Sequence, residues 1–142
     1  MNVISFKSPR ALRTWLAKHH SESDGIWLRI FKKGSGEKTV TYDQAVDEAL
    51  CYGWIDGQKQ RFDEISWLQK FTPRRSKSIW SKRNQAHVAR LIKSRKMRPA
   101  GLREVESAKK DGRWDESEMK KETKKRKMKK RETKKKGNEK KE

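Results

Sequence analysis

A chain of 142 residues with a formal net charge of +20 suits one domain built around one modest core. Its 41% charged content against 31% hydrophobic content excludes a uniformly globular chain, and no stretch approaches the ~20 apolar residues of a membrane-spanning helix. The single cysteine, Cys51, excludes an intrachain disulfide and fits a reducing compartment.

The charge is unevenly placed. Residues 115–142 hold 14 Lys or Arg against 7 Asp or Glu and no aromatic, so +7 of the total sits there and +13 in residues 1–114. All six Trp, all four Phe and both Tyr lie in 1–114. The expected organisation is therefore a folded body over 1–114 and a Lys/Glu-rich, low-complexity tail over 115–142.

Within the body, Ser8-Pro9 opens a helix, Ser8 as N-cap and Pro9 at the first helical position. Leu12, Trp15 and Leu16 make its core stripe, and it ends near His19-His20. From Gly25 to Lys33 the text reads as a strand, with Ile26, Leu28 and Ile30 on one face and Trp27, Arg29 and Phe31 on the other. Thr41 and Gln44 form a capping box. The helix that follows carries Tyr42, Ala45, Val46, Ala49 and Leu50 on one face and turns Asp43, Asp47 and Glu48 to water, and Gly53 caps its end.

Trp54 to Phe62 and Ile65 to Phe71 read as antiparallel strands joined by Asp63-Glu64, with a bulge or close backbone approach at Gly57. Arg74 to Ile79 is a basic loop. A helix from about Ser81 turns Val88, Leu91 and Ile92 inward. A last helix starts at Pro99, turns Leu102, Val105 and Ala108 inward, and stops before Gly112. The expected fold class is α+β, a small antiparallel sheet of about three strands against about four helices. The tail carries no apolar stripe and reads as a solvated, mobile segment or transient helix.

Chemistry-bearing residues concentrate between Trp54 and Asn84. Arg74, Arg75, Ser78, Ser81 and Asn84 cluster with Trp80 before a helix start, where free backbone N–H groups, the positive dipole end and planar guanidinium donors suit phosphate or carboxylate. One reading is an anion pocket that includes Asp56, with Trp54 or Trp80 as a stacking face. The other has Arg74 or Arg75 anchoring the hairpin through carboxylates such as Asp56, with Ser81 a plain N-cap.

Asp56 has no second carboxylate at a meaningful spacing and no histidine near it in sequence, so no catalytic residue is assigned. Cys51 sits in an apolar helical segment and reads as an inert buried thiol rather than a nucleophile paired with His19, His20 or His87. One cysteine and three scattered histidines give no zinc spacing, and no cofactor is expected.

Several of these stretches, taken together and in order, resemble the YdeI/OmpD-associated family of bacteriocin-protection proteins. They are residues 23–29 (SDGIWLR), 41–45 (TYDQA), 49–58 (ALCYGWIDGQ), 71–75 (FTPRR), 78–81 (SIWS), Asn84, 97–101 (MRPAG) and 111–114 (DGRW). The resemblance spans about residues 6–114 and covers the body only. Such proteins usually continue past that point into a helical segment, where this chain has its Lys-rich tail. What the resemblance implies is a bacterial stress or envelope-resistance protein that acts by binding a protein partner or a small anion, with no reaction to carry over; the N-terminus, with no apolar run of signal length, adds the expectation of a soluble cytoplasmic protein. Two other readings stand beside it. One is a nucleic-acid-associated basic protein, since the charge alone binds polyanions weakly, and no helix-turn-helix, zinc-finger or RNP signature marks a dedicated module. The other is an enzyme using the Asp56, Arg74 and Arg75 region.

Overall fold

The computed structural model describes residues 1–75 and 78–114. Ser76 and Lys77 of the basic loop, and the tail expected over 115–142, lie outside the described residues.

Helix boundaries follow cap chemistry. Helix α1 (Pro9–His19) starts where Ser8 Oγ accepts from Ala11 N at 3.1 Å. Helix α2 (Tyr42–Cys51) opens on a complete capping box: Gln44 N donates to Thr41 Oγ1 at 3.2 Å and Thr41 N donates to Gln44 Oε1 at 3.0 Å. The chain leaves α2 through Gly53 at φ +78°, a conformation L side chains rarely adopt. Helix α3 (Lys82–Lys93) is capped by Ser81, whose Oγ accepts from Asn84 N, and α4 (Pro99–Lys110) begins on its proline.

The class is α+β: the described residues form four helices on a four-stranded mixed sheet. Strands β1 (Val3–Ser5), β2 (Ile26–Phe31), β3 (Trp54–Arg61) and β4 (Ser66–Pro73) lie in the order β1-β2-β4-β3. Among the described strands only the β1–β2 pair is parallel, joined through α1. Strand β1 was missing from the expected sheet because three residues with one half-buried side chain, Ile4, carry no readable period.

Cross-strand partners share a face, so the register sorts the side chains. Ile4, then Ile26, Leu28 and Ile30, then Trp67, Gln69 and Phe71, then Trp54 and Asp56 face the helices. On that side Leu12, Leu16, Val46, Leu50, Val88, Leu91 and Val105 complete one core. Burying an aliphatic side chain of this size contributes roughly 1.5–3 kcal/mol. The other face carries Val3, Trp27, Arg29, Phe31, Leu68, Lys70, Thr72 and Ile55, and the core-forming helix residues lie on the opposite side from it.

Helix α2 is the hub, touching α1, β3, α3 and α4. Three inward or outward assignments differ from expectation, each for a non-local reason. Glu48 is buried, because Arg13 Nε and Nη2 donate to its two carboxylate oxygens at 2.9 and 3.0 Å. Ile92 is 41% exposed, because the inward side of α3 holds Asn84, Gln85, Val88 and Leu91; the Gln85 amide is satisfied there by the carbonyls of Trp80 and Trp114. Leu102 is 39% exposed, because the inward position of α4 in that turn is Gly101, whose missing side chain leaves no mark on hydrophobic periodicity.

Candidate functional site

The hairpin β3–β4 is irregular at one place. Its register shifts between Asp56 and Lys59, and the two bulged residues leave carbonyls that no partner strand takes. The buried Gln69 takes them instead, its Nε2 donating to Gly57 O at 2.7 Å and Gln58 O at 3.3 Å. The aliphatic stem of Lys70 lies beside Gly57, at ordinary contact distance, 3.6–3.8 Å, from where a Cβ would stand. A cleft of about 450 Å³ opens here. Ile55, Thr72 and Pro73 form its apolar wall, and Asp56, Lys70, Arg75 and Ser78 supply its polar groups.

Behind Ser78 lies a buried guanidinium. Arg74 is 8% exposed, is fixed to the hairpin by its N–H donating to Gly53 O at 3.0 Å, and stacks with Cζ 3.5 Å from the Trp80 ring centroid. Its Nη1 donates to Ser78 Oγ at 2.8 Å. Among the described residues its Nε and Nη2 have no acceptor, and neither has the Trp80 indole Nε1. Leaving a buried donor unmatched costs about 1–3 kcal/mol, more for a charged group. Burial pushes the Arg74 pKa down to about 10; Glu104 and Asp56 oppose that shift and Arg113 adds to it. A second buried arginine, Arg113, donates from Nη1 to Ser78 O at 3.0 Å while its Nε is held by Asp111. Ser78 is thus gripped from behind by two arginines, hydroxyl by one and carbonyl by the other.

The residues expected to form the site divide into three groups. Asp56, Arg75 and Ser78 line the cleft together. Arg74 and Trp80 stand behind it as a stacked pair, so Trp80 spends a ring face on its own chain. Trp54, Ser81 and Asn84 do other work: Trp54 is 1% exposed with Nε1 donating to His20 O, Ser81 is the N-cap of α3, and Asn84 is the buried residue that cap receives. The alternative in which Arg74 or Arg75 pairs with Asp56 is not formed; neither arginine has an ion pair among the described residues. Sequence reasoning missed Lys70 and Arg113. Lys70 sits opposite Trp27 on the face away from the core, and its stem reaches the cleft beside Gly57. Arg113 arrives from 35 residues beyond Ser78, with no local signal.

Asp56 is taken by another group: it accepts from the Tyr42 hydroxyl. Burial first, then this hydrogen bond, push the Tyr42 phenol up to about 12. Since its pKa is raised on folding, the stability it contributes is fully present below pH ~10 and is lost as pH climbs toward 12. Tyr42→Phe should therefore be less stable than wild type at pH 8, with the gap closing between pH 10 and 12 in chemical denaturation. Parallel stability curves across that range would show that the bond carries no weight.

Elsewhere two surface arginines of α3 are matched: Arg83 donates to Asp43 and Arg90 to Asp47, which also accepts from His87, each at 2.7–2.8 Å. Burial pushes the Cys51 thiol up to about 12, out of the range of a nucleophile. Among the described residues no group of three His, Cys, Asp or Glu is placed to hold a metal, and no helix is long and apolar enough to cross a membrane.

Residues 4–104 match the family described as Domain of unknown function (DUF8412), and the chain belongs to that family. No curated protein and no solved structure matches it.

Proposed function

We propose that this member of the DUF8412 family binds a small organic anion in the cleft between the β3 bulge and the loop that follows β4. The observation that carries the reading is uncompensated positive charge. Among the described residues Lys70 and Arg75 reach the cleft without an ion pair, Arg74 stands behind them with two unpartnered guanidinium nitrogens, and the one lining carboxylate, Asp56, is engaged by Tyr42. A volume of about 450 Å³ is in the range of small-molecule sites and far exceeds one inorganic oxyanion. The ligand therefore has a phosphate or carboxylate head for Arg75, Lys70 and Ser78, and a body that lies on Ile55, Thr72 and Pro73.

The motif resemblance to YdeI/OmpD-associated proteins gives this binding a setting, bacterial stress or envelope resistance, with the occupied cleft or an unidentified protein partner as effector. No reaction belongs to it. An acid–base role for Asp56 lacks a second carboxylate or a histidine among the described residues that line the cleft.

A thermal-shift series with inorganic phosphate, citrate and phenyl phosphate tests the reading. A ligand at 100 times its dissociation constant stabilises the folded state by about 2.7 kcal/mol. Phenyl phosphate is expected to raise the wild-type midpoint more than phosphate does, and to leave Arg75→Ala unmoved. Equal shifts in wild type and Arg75→Ala would remove the cleft from consideration.

A further inference from the structure

The sheet face turned away from the helices carries rings, Trp27 and Phe31, that neither the core nor the cleft uses. Reading across it, Trp27 lies between Val3 and Lys70, and Arg29 lies between Ser5 and Leu68. Next along β2 is Phe31, and Phe62 follows the end of β3. Phe62 is 49% exposed, and Trp27 and Phe31 are partly exposed. Each ring has a cation beside it: Lys70 Nζ is 5.8 Å from the Trp27 centroid, and Arg29 Cζ is 4.4 Å from Phe31 and 5.0 Å from Phe62. Arg29 is locked in place, donating to Ser66 Oγ at 2.9 Å and Asp63 Oδ2 at 2.8 Å.

We propose that this open sheet face binds single-stranded nucleic acid, with unpaired bases stacking on Trp27, Phe31 and Phe62 and backbone phosphates set against Lys70 and the surrounding positive field. Rings alternating with cations on an extended, flat surface match the repeat of a single strand, in which every base offers a π-face and every link a charge. Residues 1–114 alone carry +13, so the body attracts a polyanion without help from the tail. A duplex keeps its bases stacked inside and gains nothing from exposed rings, which sets the expected preference. Lys70 is common to this face and the anion cleft, but the inference rests on the rings of Trp27, Phe31 and Phe62, which do not line the cleft, and substitutions of those rings test it.

Fluorescence polarisation of a labelled 12-nucleotide oligothymidylate with the full chain, against a duplex of the same length, reads the outcome. The single strand should bind tighter. Trp27→Ala and Phe62→Ala should each weaken it about 10-fold at fixed salt with the salt slope unchanged, and Trp27→Phe should retain most of the affinity. Phe62 lies outside the core, so its variant keeps the test valid if Trp27→Ala folds poorly. Wild-type affinity in both alanine variants, or equal binding of single strand and duplex, would reduce the contact to charge alone and overturn the proposal. A chain that is dimeric in solution, and monomeric as Phe62→Ala, would assign the face to a second copy and overturn it equally.

Discussion

Gly101→Ala is expected to destabilise the fold by about 2–3 kcal/mol, although alanine is the better helix former by about 1 kcal/mol. The reason lies in how α4 meets the end of α2. A Cβ at position 101 would stand 2.4 Å from Cys51 O, 2.6 Å from Leu50 O and 2.7 Å from Cys51 C. These are backbone atoms of the last turn of α2, and no rotamer change moves them aside. Cys51 O also accepts from Arg98 N at 3.0 Å, the bond that seats α4 on α2. Adding one methyl therefore means lifting α4, losing that bond and loosening the buried contacts of Val105 and Ala108. Urea denaturation reads the loss as a lower midpoint at unchanged slope. Leu102→Ala, one residue on but 39% exposed, should cost far less. Equal losses at the two positions would mean that the α2–α4 contact is not tight.

Arg74→Met should raise the stability of the ligand-free protein by about 1 kcal/mol and abolish its response to phenyl phosphate. Replacing a buried, poorly matched charge by an apolar side chain of similar volume is often neutral or stabilising by about 1–4 kcal/mol. Here two of the guanidinium nitrogens have no acceptor among the described residues. Against that gain stand the hydrogen bond to Ser78 Oγ and the stack on Trp80, worth about 2 kcal/mol when desolvated. Arg74→Lys separates the terms: it keeps the charge, loses the planar stack, and should be destabilised by about 2 kcal/mol. If Arg74→Met unfolds as readily as Arg74→Lys, the guanidinium is a structural anchor and the cleft loses its rear support.

What could be read from residue order alone was whatever depends on neighbours in sequence. Ser8, Thr41 with Gln44, and Ser81 announced their helices because each cap bond spans three residues. The alternation in β2 showed its buried face because the strand period is local. The bulge at Gly57 was legible too, since an interior glycine interrupts a strand. What stayed hidden depends on partners far along the chain. Glu48 reads as a wet residue until Arg13, 35 positions away, reaches it. Gly101 reads as a weak spot in a helix until the last turn of α2 is placed against it. Of the candidate site, Asp56, Arg75 and Ser78 were found by residue type and do share one cleft. Trp54 and Asn84 were grouped with them by proximity in sequence, which the strand and helix directions undo. Lys70 arrives from the face away from the core, beside Gly57, and Arg113 through a long return of the chain.

Isothermal titration of phenyl phosphate into wild type, Arg75→Ala and Arg83→Ala tests the anion cleft most directly. Arg75 has no counter-ion among the described residues, whereas Arg83 is already held by Asp43 at 2.8 Å. Saturable one-to-one binding to wild type, weakened at least 10-fold by Arg75→Ala and unchanged by Arg83→Ala, is the expected result. Absence of saturable binding to wild type, or equal weakening in the two arginine variants, would contradict it.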